Sequence, residues 1–303
     1  MTVLDDESTG SAENLAAVRA HPRLKYLKGS AADPELVHEA IADADEVYHL
    51  AAAVGVQLIA ENPLRTIETN VYPTQLLLKS LEQRLPVKPV RLFLASSSEV
   101  YGKNPKPRWC EEDDLVYGPT TRARWSYGAS KAIDEFLALA YARQSYLEVV
   151  IGRFFNVVGP RQSGSYGMVL PRFVDAALAG GPLIVHDDGR QTRCFAHVAD
   201  VVRAVLTLME TPAAGGCIYN IGSDQPVSIL QLAKRVAAAV DPKLEIRFQS
   251  YADAYSADFE DVRCRVPDLA RLRATIDLAP LVDLDQIIRE VVAFQRARGD
   301  RSP

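Results

Sequence analysis

A tyrosine and a lysine four residues apart, Tyr127 and Lys131 in the run Tyr-Gly-Ala-Ser-Lys, are the sharpest chemical signal in the sequence. On a helix that spacing puts both side chains on one face. An ammonium beside a phenol favours the phenolate, lowering a pKa that is ordinarily about 10. Such a pair is a general base or acid for work near neutrality. An ordinary amphipathic helix with a surface lysine carries the same spacing, so the pair gains meaning from what precedes it. That is Ser96-Ser97-Ser98-Glu99-Val100-Tyr101-Gly102, directly behind the apolar run from Val90 to Ala95. Parallel sheets place ligand-binding groups at the carboxyl ends of their strands. A serine hydroxyl there bonds a reacting hydroxyl or ketone, and Glu99 serves as acid, base or proton relay. A serine-rich turn that caps the next segment is the competing account. The order of strand, Ser-Ser-Ser-Glu, Tyr-Gly, loop and Tyr-x-x-x-Lys favours the chemical one.

These residues need a frame to hold them. Strand-like runs at Val3–Leu4, Leu24–Leu27, Glu46–Leu50, Val90–Ala95 and Glu148–Ile151 are interleaved with helical stretches at Pro63–Leu85 and Tyr127–Tyr146. The runs are apolar throughout rather than alternating, as expected of strands covered by helices on both faces. The reading is α/β: a doubly wound parallel sheet over residues 1–156. A smaller α+β lobe follows over 157–303, with chain crossing between the two. In that second part glycine and proline become frequent. Strands are expected at Leu183–Val185, Ile218–Ile221 and Leu244–Phe248, and helices at His197–Glu210, Ser228–Val240 and Leu284–Arg296.

Composition bounds the function. At 303 residues, 48% hydrophobic and 24% charged, the chain has a globular balance and needs no disulfide or metal staple for its core. Its 34 basic and 39 acidic residues leave a net charge of −5. No basic face for duplex nucleic acid is advertised, although local arginines still suit a small anion. Cys110, Cys194, Cys217 and Cys264 are widely spaced, which reads as reduced thiols in a cytoplasmic protein. The histidines show no metal-ligand spacing. No apolar run is long enough for a bilayer, and the first residues carry no basic-then-apolar leader.

Beyond chemistry and frame, the chain resembles the extended short-chain dehydrogenase/reductase family of nucleotide-sugar enzymes. The resemblance is carried by Asp5 with Ser8-Thr9-Gly10, the run His49 to Ala53, Asn70-Val71, Ser97, Tyr127 with Lys131, Arg153 to Pro160 and Arg193 to Asp200. It implies NAD as cofactor and a UDP-sugar as substrate, with hydride leaving sugar carbon 4, in a homodimer. By the same resemblance Tyr127 is the base, Lys131 holds the nicotinamide ribose and Ser97 bonds the carbon-4 oxygen. The cofactor site takes in Asp5 at a ribose hydroxyl, Ser30 and Ala31 near adenine, Leu50, Ala51, Ala52, Asn70 and Phe154. Asn156, Arg161 and Arg193 fall on the nucleotide-diphosphate side, where a planar guanidinium suits phosphate. Ser98-Glu99, Gly118-Pro119, Arg124-Trp125-Ser126 and Arg263-Cys264-Arg265-Val266-Pro267 are similar to UDP-glucuronate decarboxylases. On that likeness Arg265 holds the substrate carboxylate and then the enolate. A surface or phosphate-binding arginine is the plainer account of Arg265.

One family feature is absent from the sequence. No G-x-x-G-x-x-G or G-x-G-x-x-G turn occurs, although a doubly wound dinucleotide fold meets the pyrophosphate at such a turn. Because the downstream set is intact, the expectation is that an upstream segment supplies the first strand, turn and helix. Without them, weak NAD binding and an uncovered sheet edge and face are expected. Ser30 also stands where the family usually has an aspartate. A nucleotide-sugar 4-epimerase would use the same Ser97, Tyr127 and Lys131. A nucleotide-sugar-binding or scaffold protein without a working NAD site is the alternative from another class.

Overall fold

The computed structural model describes residues 1–55, 62–85, 89–145, 147–164, 168–254, 261–278 and 281–299. Its centre is a four-stranded parallel sheet in the order β10-β5-β4-β3, built from β3 (Glu46–His49), β4 (Arg91–Ser97), β5 (Glu148–Phe154) and β10 (Cys217–Ile221). Leu92, Phe93, Leu94, Val149, Val150 and Ile151 are wholly buried. Leu92 and Leu94 face one helical layer, where α2 (Pro63–Arg84) and α3 (Ser126–Ser145) pack. Phe93 faces the other, under α5 (Val198–Glu210). Helices on both faces explain the unbroken apolar strands. β4 runs two residues and β5 three residues past the expected ends, because the ladder continues through Ser96↔Arg153 and Ser97↔Phe154. The helix expected through Tyr146 is described to Ser145; Tyr146 lies outside the described residues.

A second, smaller sheet holds β1 (Thr2–Asp5) and β2 (Lys25–Lys28), paired in parallel. Among the described residues neither strand hydrogen-bonds to β3, so the parallel array falls into two pieces. β1 is tied to the core through side chains: α1 (Pro34–Ile41) starts at an Asp33 cap and buries Val37 and Ile41 in the cluster that Leu4 also joins. Beyond the other face of the sheet, Val198, Val202 and Leu206 of α5 are 37%, 50% and 47% exposed, an uncovered apolar stripe.

The second half of the chain folds around its own core. Buried side chains of α4 (Val169–Leu178), α6 (Ile229–Val240) and α9 (Leu284–Gly299) meet β7 (Leu183–His186) there. β7 pairs with β12 (Ile246–Gln249). This strand begins two residues later than expected, since Asp241 holds Leu244 in a turn after α6. Short ladders complete the half. β8 (Thr192–Cys194) lies between β11 (Pro226–Ser228) and β13 (Cys264–Arg265), and β6 (Val157–Val158) pairs with β9 (Ala196–His197). Strands of two or three residues leave no periodic trace in a sequence. Beyond β12 and β13 respectively come the short helices α7 (Tyr251–Ala254) and α8 (Ala270–Thr275).

Candidate active site

A cavity of about 380 Å³ opens where β4 and β5 end, and Ser97, Glu99, Tyr127, Phe154, Asn156 and Arg265 all reach its wall. Ser97 ends β4 and caps the 3-10 turn Ser98–Tyr101, its hydroxyl accepting from the Glu99 N–H at 3.2 Å. The start of α3 lies tight against that turn. A Cβ on Gly128 would come within 2.4 Å of the Glu99 carbonyl oxygen, so only glycine lets Tyr127 sit beside Ser97. Gly102, at φ +61°, closes the same turn. Tyr127 is buried, and burial pushes its phenol well above the ordinary range. The Ser97 hydroxyl pulls it back down, Glu99 and Asp134 push it further up, and Arg265 pulls it down. The lowered phenol pKa expected from the four-residue spacing is therefore absent: burial dominates, and anionic neighbours stand against the cations.

Lys131 does not line the cavity. It is buried beneath it, its ammonium 3.2 Å from the Asp134 carboxylate. Asn70 links three elements. Its carbonyl oxygen takes the Ala53 N–H at 2.8 Å and its amide donates to Ser130 at 3.0 Å, tying the end of β3 to α2 and α3.

The far wall is charged. Glu99 sits between two buried arginines, Arg124 at 2.7 Å and Arg265 at 2.7 Å. Burial alone would raise its pKa; the two guanidiniums more than reverse that and hold it down at about 2. Glu99 is thus held as a carboxylate between the two guanidiniums. Arg265 is no surface residue: it is buried, and β13 sets it in register with Arg193 on β8. Its strand is held by the Trp109 N–H to the Val266 carbonyl at 2.9 Å and the Asp268 N–H to the Trp109 carbonyl at 2.8 Å. Burial lowers the Arg265 pKa, Glu99 opposes that, and Arg193 and Arg124 add to it. Arg193 forks onto Asp261 at 2.9 and 3.0 Å, and Tyr251 donates to Asp261 at 2.5 Å. Gln191 reaches Tyr251 at 3.0 Å, and the Tyr251 ring meets His186 edge-on.

Other expected residues lie elsewhere. Asn156, at φ +30°, reaches the cavity while its amide donates to the Cys194 carbonyl at 2.9 Å. Arg161 is exposed, donates to the Asn14 carbonyl at 3.1 Å and does not line the cavity. Asp5, Ser30 and Ala31 gather at the carboxyl ends of β1 and β2, where Asp5 accepts from the Glu7 N–H at 2.6 Å. Leu50 and Ala51 are exposed and Ala52 half-buried just past β3. Sequence reading missed Arg124 as a site residue, though it precedes Tyr127 by one helical turn, and it missed Asp261, Tyr251, Gln191 and His186. The last four meet only through tertiary folding and carry no local signal. No group of side chains among the described residues forms a metal site, and all four cysteines are free thiols. No helix among the described residues is long and apolar enough to cross a membrane.

Fold and site together define a nucleotide-binding α/β enzyme with a Ser-Tyr-Lys set at the sheet's carboxyl edge. The chain belongs to the NAD dependent epimerase/dehydratase family, whose model matches residues 1–222. It is 38% identical over 265 residues to a UDP-N-acetyl-alpha-D-glucosaminuronate decarboxylase of Bacillus cytotoxicus, covering 87% of this chain and 80% of the other. It is 32% identical over 292 residues to UDP-glucuronic acid decarboxylase 6 of Arabidopsis thaliana, covering 93% and 77%. In fold it matches a UDP-glucuronic acid 4-epimerase from Bacillus cereus, solved with UDP-glucuronic acid and NAD, at TM-score 0.86 and 22% identity over 98% of this chain and 91% of that one. The family's cofactor is NAD. The residues present fit its nicotinamide-ribose end, where Ser97 and Tyr127 supply hydroxyls at the sheet edge and Lys131 supplies a buried cation. Asp5, at the end of β1, is the carboxylate that would meet the other ribose.

Proposed function

We propose that this protein is an NAD-dependent decarboxylase of a UDP-hexuronate, UDP-glucuronate in the first instance, acting through a 4-keto sugar. The observation that carries the reading is the buried Arg124–Glu99–Arg265 arrangement beside Ser97 and Tyr127. A sugar whose carbon 4 sits at Ser97 and Tyr127 presents its carbon-5 carboxylate to cations, and these two arginines are the cations at hand. The 38% and 32% relatives support it by the reactions in their names.

In this reading Tyr127 takes the proton of the carbon-4 hydroxyl while Ser97 bonds the same oxygen. NAD, held at its nicotinamide ribose by Lys131, would supply the acceptor for the carbon-4 hydride. The product of that step is a β-keto acid. Its carboxyl carbon leaves as carbon dioxide, the bonding electrons pass into the ketone, Arg265 with Arg124 steadies the resulting enolate, and a proton from solvent taken up at carbon 5 completes the 4-keto pentose. Glu99, fixed as a carboxylate, orients both guanidiniums. Arg193 and Asn156 take the diphosphate. Lys131 would hold the nicotinamide ribose, with Asp5, Ser30, Ala31, Leu50, Ala51, Ala52 and Phe154 along the rest of the cofactor.

A homodimer fits the apolar face shared by α2 and α3, on which Leu64, Ile67, Tyr72, Ile133 and Phe136 are exposed. A cytoplasmic setting fits four free thiols. The test offers the protein and NAD four substrates separately: UDP-glucuronate, UDP-N-acetylglucosaminuronate, UDP-glucose and UDP-galactose. Carbon dioxide released from a uronate, with a UDP-pentose or its 4-keto form as product, is the expected outcome. Interconversion of UDP-sugars without carbon dioxide would replace the reading with 4-epimerisation. Binding without turnover would leave a nucleotide-sugar-binding protein.

A further inference from the structure

Tyr127, Lys131 and Asp134 fall at i, i+4 and i+7 of α3, one face of one helix. All three are buried, and the Asp134 side chain has no exposure at all. The Lys131 ammonium lies 3.2 Å from Asp134 Oδ2. The other oxygen of Asp134 has no hydrogen-bond partner among the described residues. A buried carboxylate left half-satisfied is costly, and what offsets it is the lysine.

The other charged groups nearby are committed. Glu135, next on α3, forks onto Arg153 of β5 at 2.9 and 2.7 Å. Glu99 is held by Arg124 and Arg265. His49, at the end of β3, faces the cluster through Thr74 of α2 at 3.1 Å. Burial first, then the Lys131 charge, keep it neutral with a pKa of about 3. Asp134 is therefore the one carboxylate paired with Lys131 among the described residues, and burial holds its pKa above the ordinary carboxylate range despite that lysine.

We propose that Asp134 is a positioning residue: it anchors the Lys131 ammonium beneath the cavity and offsets its charge, and so sets how readily the Tyr127 phenol gives up its proton. The inference rests on the reading of Tyr127 as the proton-transferring residue. With Asp134 ionised, the phenol meets a neutral pair rather than a bare cation. Neutralising Asp134 unmasks the lysine and favours the phenolate.

The test reads the phenol directly, without cofactor or substrate. The near-ultraviolet phenolate absorbance of wild type minus Tyr127→Phe isolates the titration of Tyr127. The same subtraction is made in an Asp134→Asn background. The expected result is a Tyr127 midpoint lower by about one pH unit or more with asparagine, and a return to the wild-type midpoint with Asp134→Glu. In turnover, the acid limb of the kcat/KM profile moves down in pH by the same interval. An unchanged or higher midpoint, with only a lower melting temperature, overturns the proposal and leaves Asp134 a structural residue. Should the asparagine variant fail to fold, Asp134→Ser, which admits water beside the ammonium, gives the same reading. A wild-type protein inert toward every sugar nucleotide defeats the proposed function, while the spectral titration still decides the role of Asp134.

Discussion

The two pieces of the parallel array differ in what supports them. β4 and β5 are covered by helices on both faces and carry wholly buried leucine, valine and isoleucine along their length. β1 and β2 show no fully buried residue; each runs exposed, half-buried, half-buried, exposed. The residues proposed for proton transfer and carboxylate binding stand on or against the first piece, and the acid proposed for the distal ribose stands on the second. Rigid packing thus goes where geometry has to be held to fractions of an ångström, since catalytic placement is far less tolerant than ribose binding. The comparison can be broken at either end.

The largest expected effect is on chemistry at the supported piece. Tyr127→Phe removes one hydroxyl and keeps the ring that fills the site. Turnover should fall by about two to four orders of magnitude, while the denaturation midpoint and UDP-sugar affinity stay near wild type. Near-normal turnover would remove Tyr127 from the mechanism.

Packing should show the same asymmetry in stability. Leu94→Ala on β4 opens a hole among wholly buried neighbours and should cost about 2–5 kcal/mol. Leu4→Ala on β1, where the side chain is only half-buried, should cost about 1 kcal/mol. Urea unfolding of both variants measures the difference. Equal losses would mean that β1 is as firmly packed as β4 and that the contrast between the pieces is false.

At the cavity wall, Arg265→Ala and Glu99→Gln separate the roles of the charged cluster. Each should remove roughly 3 kcal/mol of transition-state stabilisation from carbon dioxide release. Oxidation at carbon 4, read as NAD reduction, should survive better, because Ser97 and Tyr127 are untouched. Equal loss of both activities would make the cluster a general support of the site rather than a carboxylate clamp.

The sequence disclosed the supported piece more fully than the other. Val90–Ala95 and Glu148–Ile151 were legible because unbroken apolar runs have one common meaning in an α/β chain. Tyr127, Ser97 and Glu99 were legible because local order, strand to turn to helix, places them. Arg265 was legible only through resemblance: β13 has two residues, and its register with Arg193 is a long-range fact. Asp261 and Tyr251 had no signal at all, since the chain of bonds from Tyr251 to Asp261 to Arg193 joins segments with no common period. The pairing of Glu99 was not legible for the same reason. A carboxylate in a motif does not reveal that two arginines from distant segments will close on it.

A further effect, confined to acid pH, lies at the seam between the two pieces. His49 ends β3, the edge of the larger sheet, and Leu50 beyond it is 59% exposed. The ring itself is buried and neutral, its pKa brought down from 6.5 to about 3 by burial and then by Lys131. The unfolded chain takes up a proton here below its ordinary pKa and the folded protein does not. Stability from this group is therefore complete above about pH 6.5 and is lost as pH falls toward 3, at about 1.4 kcal/mol per unit. Between about pH 6.5 and 5 the loss should reach roughly 2 kcal/mol. His49→Asn keeps an amide for Thr74 and removes the titration. Wild type should lose about 2 kcal/mol more than this variant across that window, measured as urea midpoints at each end. His186, whose pKa is likewise lowered to about 4, chiefly by burial, titrates in both proteins and cancels. Glu99 is silent there, because a carboxyl held at about 2 loses its contribution only below its ordinary value of 4.5. Equal losses in the two proteins would show that His49 takes up its proton in the folded state, and hence that water enters the seam beside β3.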